Sequence, residues 1–179
     1  MIKEIQSRKS VRVYKDKDVE DKLIMGMIEA ARLAPSGNNT QPWTFIIVRT
    51  KEMKEKIASA DGNQKWMLTA PVFIVCVADI KCRVKDTEGM ALNDDSPEAA
   101  LKKVIRDTSI AVEHLVLEGQ HLGLATCWTG WFEQEDMRQV LGIPSDKYVL
   151  AVVTVGYAGE TKAAPKKKAL EKIVKYEKW

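Results

Sequence analysis

Apolar residues along this chain follow two kinds of pattern, and the switch between them marks out the elements. Val19, Leu23, Ile24, Met27, Ile28 and Ala31 recur at the spacing that lines one face of a helix, which predicts an amphipathic helix over residues 18–33 with Asp18 as its cap. Pro35 ends it. Residues 43–48 and 72–78 are short continuous runs, β-branched and aromatic, and predict buried strands; residues 51–58 between them predict a helix. The widest apolar stripe falls at positions 100, 101, 104, 105, 111, 112, 115, 116 and 122, which predicts a long central helix over residues 97–122, stopped by Gly123. Residues 125–129 look extended, 133–141 helical, and 149–155 a third clear apolar strand. The sum is an α+β fold. With no internal repeat and no long linker, a single domain over residues 1–179 is expected, with the acidic stretch 86–96 as its mobile loop and a candidate substrate lid.

Composition changes this picture little. At 179 residues, 45% hydrophobic and 30% charged, the chain can bury one sizeable core. A net charge of +3 demands neither nucleic acid nor an anionic membrane as partner. The excess is local: residues 162–178 carry seven Lys against two Glu, a run that on its own would also suit a nucleic-acid-binding tail with steeply salt-dependent binding. Cys76, Cys82 and Cys127 are odd in number and form no CxxC pair, which argues against a disulfide framework or a zinc site and for a reducing cytoplasm. The first residues lack the organisation of a signal peptide, and no apolar run approaches the ~20 residues that span a bilayer, so a cytoplasmic chain is expected.

Candidate chemistry is narrowed first by absences. There is no GxGxxG, no GxxxxGK[ST] and no GxSxG, so a dinucleotide fold, an NTPase loop and a hydrolase elbow are all unsignalled. His114 and His121 lie seven apart on the central helix with nothing to complete a ligand set, and are read as structural. The sequence neighbours of Cys127 include no His or Arg to make a reactive thiolate. Any catalysis is therefore expected to belong to a cofactor.

Four stretches remain. Arg8-Lys9-Ser10-Val11-Arg12 gathers cations and a hydroxyl that suit a phosphate. Residues 35–43, Pro-Ser-Gly-Asn-Asn-Thr-Gln-Pro-Trp, hold more amides and hydroxyls than a helix stop needs and suit a flat, polar-edged ring. Trp128-Thr129-Gly130-Trp131 is an aromatic turn whose glycine admits close backbone approach. Lys166-Lys167-Lys168 forms a second basic set.

Together and in this order, with Gly123-Leu-Ala-Thr-Cys-Trp-Thr-Gly130 and Val155-Gly156-Tyr157, these stretches resemble the nitroreductase family of FMN-dependent oxidoreductases over almost the full chain. The resemblance implies a mixed, mainly antiparallel central sheet flanked by helices, built as an intertwined homodimer with FMN at the subunit interface. Carried onto this chain, Arg8, Lys9, Ser10 and Arg12 would meet the phosphate and ribityl end, with Lys166 or Lys168 approaching it. Pro35, Ser36, Gly37 and Asn39, with Gln41 in the same turn, would come from the other subunit; Asn63 would meet the pyrimidine edge; and Trp128, Thr129, Gly130 and Trp131 would lie along the ring near N5. The implied activity is hydride transfer from NADH or NADPH through FMN to a small-molecule acceptor, nitroaromatic or quinone, by a ping-pong cycle. The alternatives are a narrower flavoenzyme of the same family, an ene-reductase or reductive dehalogenase, and a flavin-binding protein without turnover.

Overall fold

The computed structural model describes residues 1–161 and 163–179; Lys162, one of the C-terminal lysines counted above, lies outside the described residues. Four strands form one sheet in the order β1-β2-β4-β3: β1 (Trp43–Val48), β2 (Val72–Asp79), β3 (Ala125–Thr129) and β4 (Lys147–Gly156). Every neighbouring pair is antiparallel, so among the described residues the parallel component expected of a mixed sheet is confined to one isolated bridge, Ser10 to Thr126.

The two central strands are apolar over most of their length, Val72–Ala78 and Val149–Val153, because both of their faces are covered there. Val72, Ile74 and Cys76 point toward α2 (Asp21–Arg32) and α4 (Ala99–His121), where Met27, Ala31, Ala111, Val112 and Leu115 are fully buried. Phe73, Val75 and Val77 point the other way, onto Ile57 of α3 (Lys51–Ala60), Met67 and Met137 of α5 (Gln134–Leu141). The period-two alternation of a strand thus serves two separate cores. A third cluster, Ala78, Ile80, Leu92, Leu101, Val104 and Tyr148, closes one end and holds the acidic loop down through Leu92. That loop is further tied by Arg138, whose Nη1 donates to the Leu92 carbonyl at 3.0 Å, and by the Tyr148 hydroxyl bonded to Asp94.

The predicted elements are present with shifted ends. Helix α2 begins at Asp21, not residue 18, and Asp18 does not cap it: its carboxylate accepts from the Val19 amide at 2.8 Å and from Arg49 at 2.8 Å, holding the loop before the helix instead. Strand β4 starts two residues earlier than the apolar run, because Lys147 and Tyr148 still pair with Asp79 and Ala78. Among the described residues no helix is long and apolar enough to cross a membrane.

The Val155-Gly156-Tyr157 segment has a packing explanation. A Cβ on Gly156 would stand 2.7 Å from Pro71 Cδ and 2.8 Å from Tyr14 Cδ1, two rings that cannot yield. The Tyr14 hydroxyl is itself fixed, 2.7 Å from Thr154 Oγ1, and this keeps the chain that follows the N-terminal basic segment against the end of β4.

Candidate functional site

A short helix, α1 (Lys3–Ser7), leads into the basic segment and is pinned to the end of α4 by Glu4, which lies 3.0 Å from His121 Nδ1. The ion pair lowers the Glu4 carboxyl and raises the His121 imidazole from their ordinary values, mainly through that hydrogen bond. His114 is also in structural use, 3.3 Å from the Ala30 carbonyl. After α1 the chain runs beside β3, where the Val11 amide donates to the Thr126 carbonyl at 3.0 Å. This pairing carries Arg8, Lys9 and Ser10 into a cleft of about 150 Å³ shared with Trp128, Thr126, Val116 and Glu113. Two of the four predicted stretches therefore meet within one chain. Glu113 is the one acidic residue in that lining.

Arg12 lies beyond this cleft, its guanidinium 5.6 Å from the centre of the Trp66 ring and its amide bonded to Glu160 at 2.9 Å. Trp66 Nε1 donates to Gln64 Oε1 at 2.9 Å, and Gln64 Nε2 donates both to Thr129 Oγ1 at 2.7 Å and to Asp61 Oδ2 at 3.0 Å. The Thr129 hydroxyl donates to Asp61 Oδ2 at 2.7 Å, and the Trp131 amide donates to Asp61 Oδ1 at 2.5 Å. Through this network the turn carrying Asn63 sits under the 128–131 segment, with Gly62 packed against Trp131. Asn63 is exposed at φ 55°, a left-handed conformation that Asn tolerates better than most residues.

Within the Trp128-Trp131 segment the side chains divide. Trp128 is 38% exposed and Trp131 80% exposed, leaving flat apolar surface open, whereas the Thr129 hydroxyl and the Trp131 amide are both directed into the protein. Asp61 was not legible as a functional residue, since an Asp-Gly pair after a helix also suits a solvated turn. One signal was available: Asp61 is the C-cap of α3, an end where a negative charge is unfavourable unless something else holds it.

Cys127 is buried, and Arg12 and Arg8 lie near enough to favour its thiolate, a proximity its sequence neighbours do not reveal. Burial outweighs them and pushes the thiol up from its ordinary value, so it remains protonated and unreactive.

The amide-rich turn stands elsewhere on α4. Its Gly37 is clamped by an ion pair: the Gly37 amide donates to Asp107 Oδ2 at 3.2 Å, Arg83 Nη2 donates to the Gly37 carbonyl at 3.1 Å, and Arg83 and Asp107 are 2.7 Å apart. A Cβ on Gly37 would fall 2.5 Å from Arg83 Nη2, so a side chain there requires the guanidinium to shift. Asn38, Asn39 and Gln41 all take positive φ, at 57°, 53° and 46°, which explains the two asparagines physically, since Asn tolerates this region better than most residues. Pro35 and Asn39 are exposed, Ser36 Oγ accepts from the Gln41 amide at 2.9 Å, and Thr40 Oγ1 is buried without a hydrogen-bond partner among the described residues. Asp107 lies six residues from Glu113, about 9 Å along the helix, so the turn and the basic cleft occupy different stretches of α4. Lys166 and Lys168 lie on a tail, residues 163–179, that is exposed throughout, and neither lines the basic cleft.

The Nitroreductase family profile matches residues 5–61 and 58–157. The chain belongs to that family. It is 33% identical over 165 residues to a protein of Archaeoglobus fulgidus with the provisional description NADH dehydrogenase/NAD(P)H nitroreductase, covering 90% of this chain and 87% of that one. It is 29% identical over 169 residues to the FMN reductase [NAD(P)H] of Bacillus subtilis, covering 91% and 68%. Among solved structures, the FMN-dependent nitroreductase of Clostridium difficile R20291 superposes with a TM-score of 0.81 at 28% identity, covering 100% of both chains.

The left-handed turn is directly testable. Asn38 is exposed, so its substitution reports backbone conformation alone: Asn38→Ala is expected to lower stability by about 1 kcal/mol, and Asn38→Gly not to lower it, in urea unfolding midpoints at unchanged slope.

Proposed function

We propose that this chain, an FMN-dependent NAD(P)H oxidoreductase of the nitroreductase family, holds FMN with its phosphate at Arg8, Lys9 and Ser10 and its ring along residues 128–131. The observation that carries this reading is the single cleft lined by Arg8, Lys9, Ser10 and Trp128. The donor set fits the group: two cations and a hydroxyl suit a phosphate, and the exposed faces of Trp128 and Trp131 suit a flat ring. FMN held there would supply the redox chemistry, hydride transfer through its N5 from NADH or NADPH to a nitroaromatic or quinone-type acceptor in a ping-pong cycle. The protein's own contribution is binding, orientation and exclusion of water from one ring face, with Asn63 directed at the pyrimidine edge. No side chain is needed as acid, base or nucleophile.

The functional unit is a cytoplasmic homodimer of single-domain subunits, in which Pro35, Ser36, Gly37, Asn39 and Gln41 complete the site of the partner. Three observations support this. The turn stands apart from the basic cleft on the same helix; Thr40 Oγ1 has no partner within the described chain; and an apolar cleft of about 420 Å³, lined by Ile2, Ala30, Leu33 and Leu117, lies open beside α4. The exposed tail, with Leu170, Ile173, Tyr176 and Trp179 uncovered, has the apolar content to reach across a second subunit and bring Lys166 or Lys168 to its phosphate.

Anaerobic addition of NADH or NADPH to the flavin-loaded protein is expected to bleach the visible flavin absorbance completely, and a quinone to restore it. A flavin that stays oxidised with both nucleotides leaves a binding protein and removes the enzymatic reading.

Sharing of the site is tested by subunit mixing. In a dimer that joins an Arg8→Ala subunit to an Asn39→Ala subunit, one site carries both lesions and the other carries none. Half of the sites in such mixed dimers should therefore recover FMN and NADH oxidation after joint refolding. Proven subunit exchange with no recovery would place Arg8 and Asn39 in one chain's site.

A further inference from the structure

Asp61 is the one fully buried carboxylate among the described residues, at 0% exposure, and it receives three donors: the Thr129 hydroxyl, the Trp131 amide and the Gln64 side chain. We propose that Asp61 is a positioning residue, whose carboxylate fixes the 128–131 segment in the conformation it presents to the flavin ring; this rests on the flavin site proposed above. The geometry supports a specific hold rather than general packing. Both carboxylate oxygens are used, one on the backbone at Trp131 and the other on the hydroxyl at Thr129, so the segment is gripped at two points that flank Gly130. Gly130 has no side chain of its own to hold it, and a Cβ there would meet only the Leu150 carbonyl at 3.7 Å. Without the carboxylate the turn would keep its strand end at Thr129, paired with Val152, and lose its anchor on the far side.

Gln64 extends the grip. By donating to Asp61 and to Thr129 while accepting from Trp66, it ties the ring-facing segment to the indole over which Arg12 lies. The same carboxylate also stands as a buried negative charge behind the ring-facing turn, where it opposes the gain of electrons by anything held in front. Positioning and charge thus act on the same group through two neighbouring residues, and both have readouts outside turnover.

Asp61→Asn keeps the volume, removes the charge and sets an amide donor against the Thr129 and Gln64 donors. Amide exchange at Trp131 in the flavin-free protein is expected to rise about tenfold, as a charge-assisted bond becomes a neutral one. The loaded variant is expected to bind FMN about tenfold more weakly and to show a higher flavin reduction potential than the native protein. Native affinity and native potential in a variant that has merely lost thermal stability would overturn the proposal. If Asp61→Asn does not fold, Thr129→Val removes one donor and keeps the charge: faster Trp131 exchange with weaker FMN binding supports the proposal, and native values of both overturn it. A native protein that takes up no FMN refutes the flavin site instead, and Trp131 exchange in the flavin-free variants still decides whether Asp61 holds the segment.

Discussion

The backbone hydrogen bond from the Val11 amide to the Thr126 carbonyl is the contact on which the candidate site depends. Strand β3 is an outer strand of the sheet, and an outer strand leaves backbone groups that must be paired or covered. Here the N-terminal segment does part of that pairing, and in doing so it brings Arg8, Lys9 and Ser10 to the cleft shared with Trp128. A requirement of sheet construction thereby becomes a geometric one. Residues more than a hundred positions apart in sequence are set side by side by the need to satisfy main-chain donors and acceptors.

A second constraint acts behind that cleft. The buried Asp61 carboxylate would be costly without partners, and its three donors all come from the 128–131 segment or from the turn that carries Asn63. Burial raises its pKa, and the bonds from Thr129, Trp131 and Gln64 pull it back only in part. The amide-rich turn uses a related device on the surface, where the Arg83–Asp107 pair clamps both polar groups of Gly37. In both places a charged side chain fixes backbone.

The strands were the most legible part of the chain. Residues 43–48 and 72–78 are covered on one or both faces, so their composition alone identified them, and the 3.6-residue stripe of α4 was equally clear because it packs on both α2 and the sheet. Element ends were less so: Asp18 has the chemistry of a cap, but Arg49 and the Val19 amide claim its carboxylate. Of the site, the basic segment and the tryptophan turn were legible as chemistry but not as neighbours, since only the strand register brings them together. Asp61 was not legible, because burial of a carboxylate is a tertiary fact, and the left-handed conformations at Asn38, Asn39 and Gln41 were visible only as an excess of amides.

On the proposed function, the cleft at Arg8, Lys9 and Ser10 reads a phosphate attached to a flavin. Calorimetric titration of the flavin-free protein with FMN, and separately with riboflavin, which has the same ring and no phosphate, tests this most directly. The expected result is one FMN per chain and an affinity for riboflavin lower by about a hundredfold, the loss expected for charge-assisted bonds to the missing group. Equal affinity for the two flavins would contradict it.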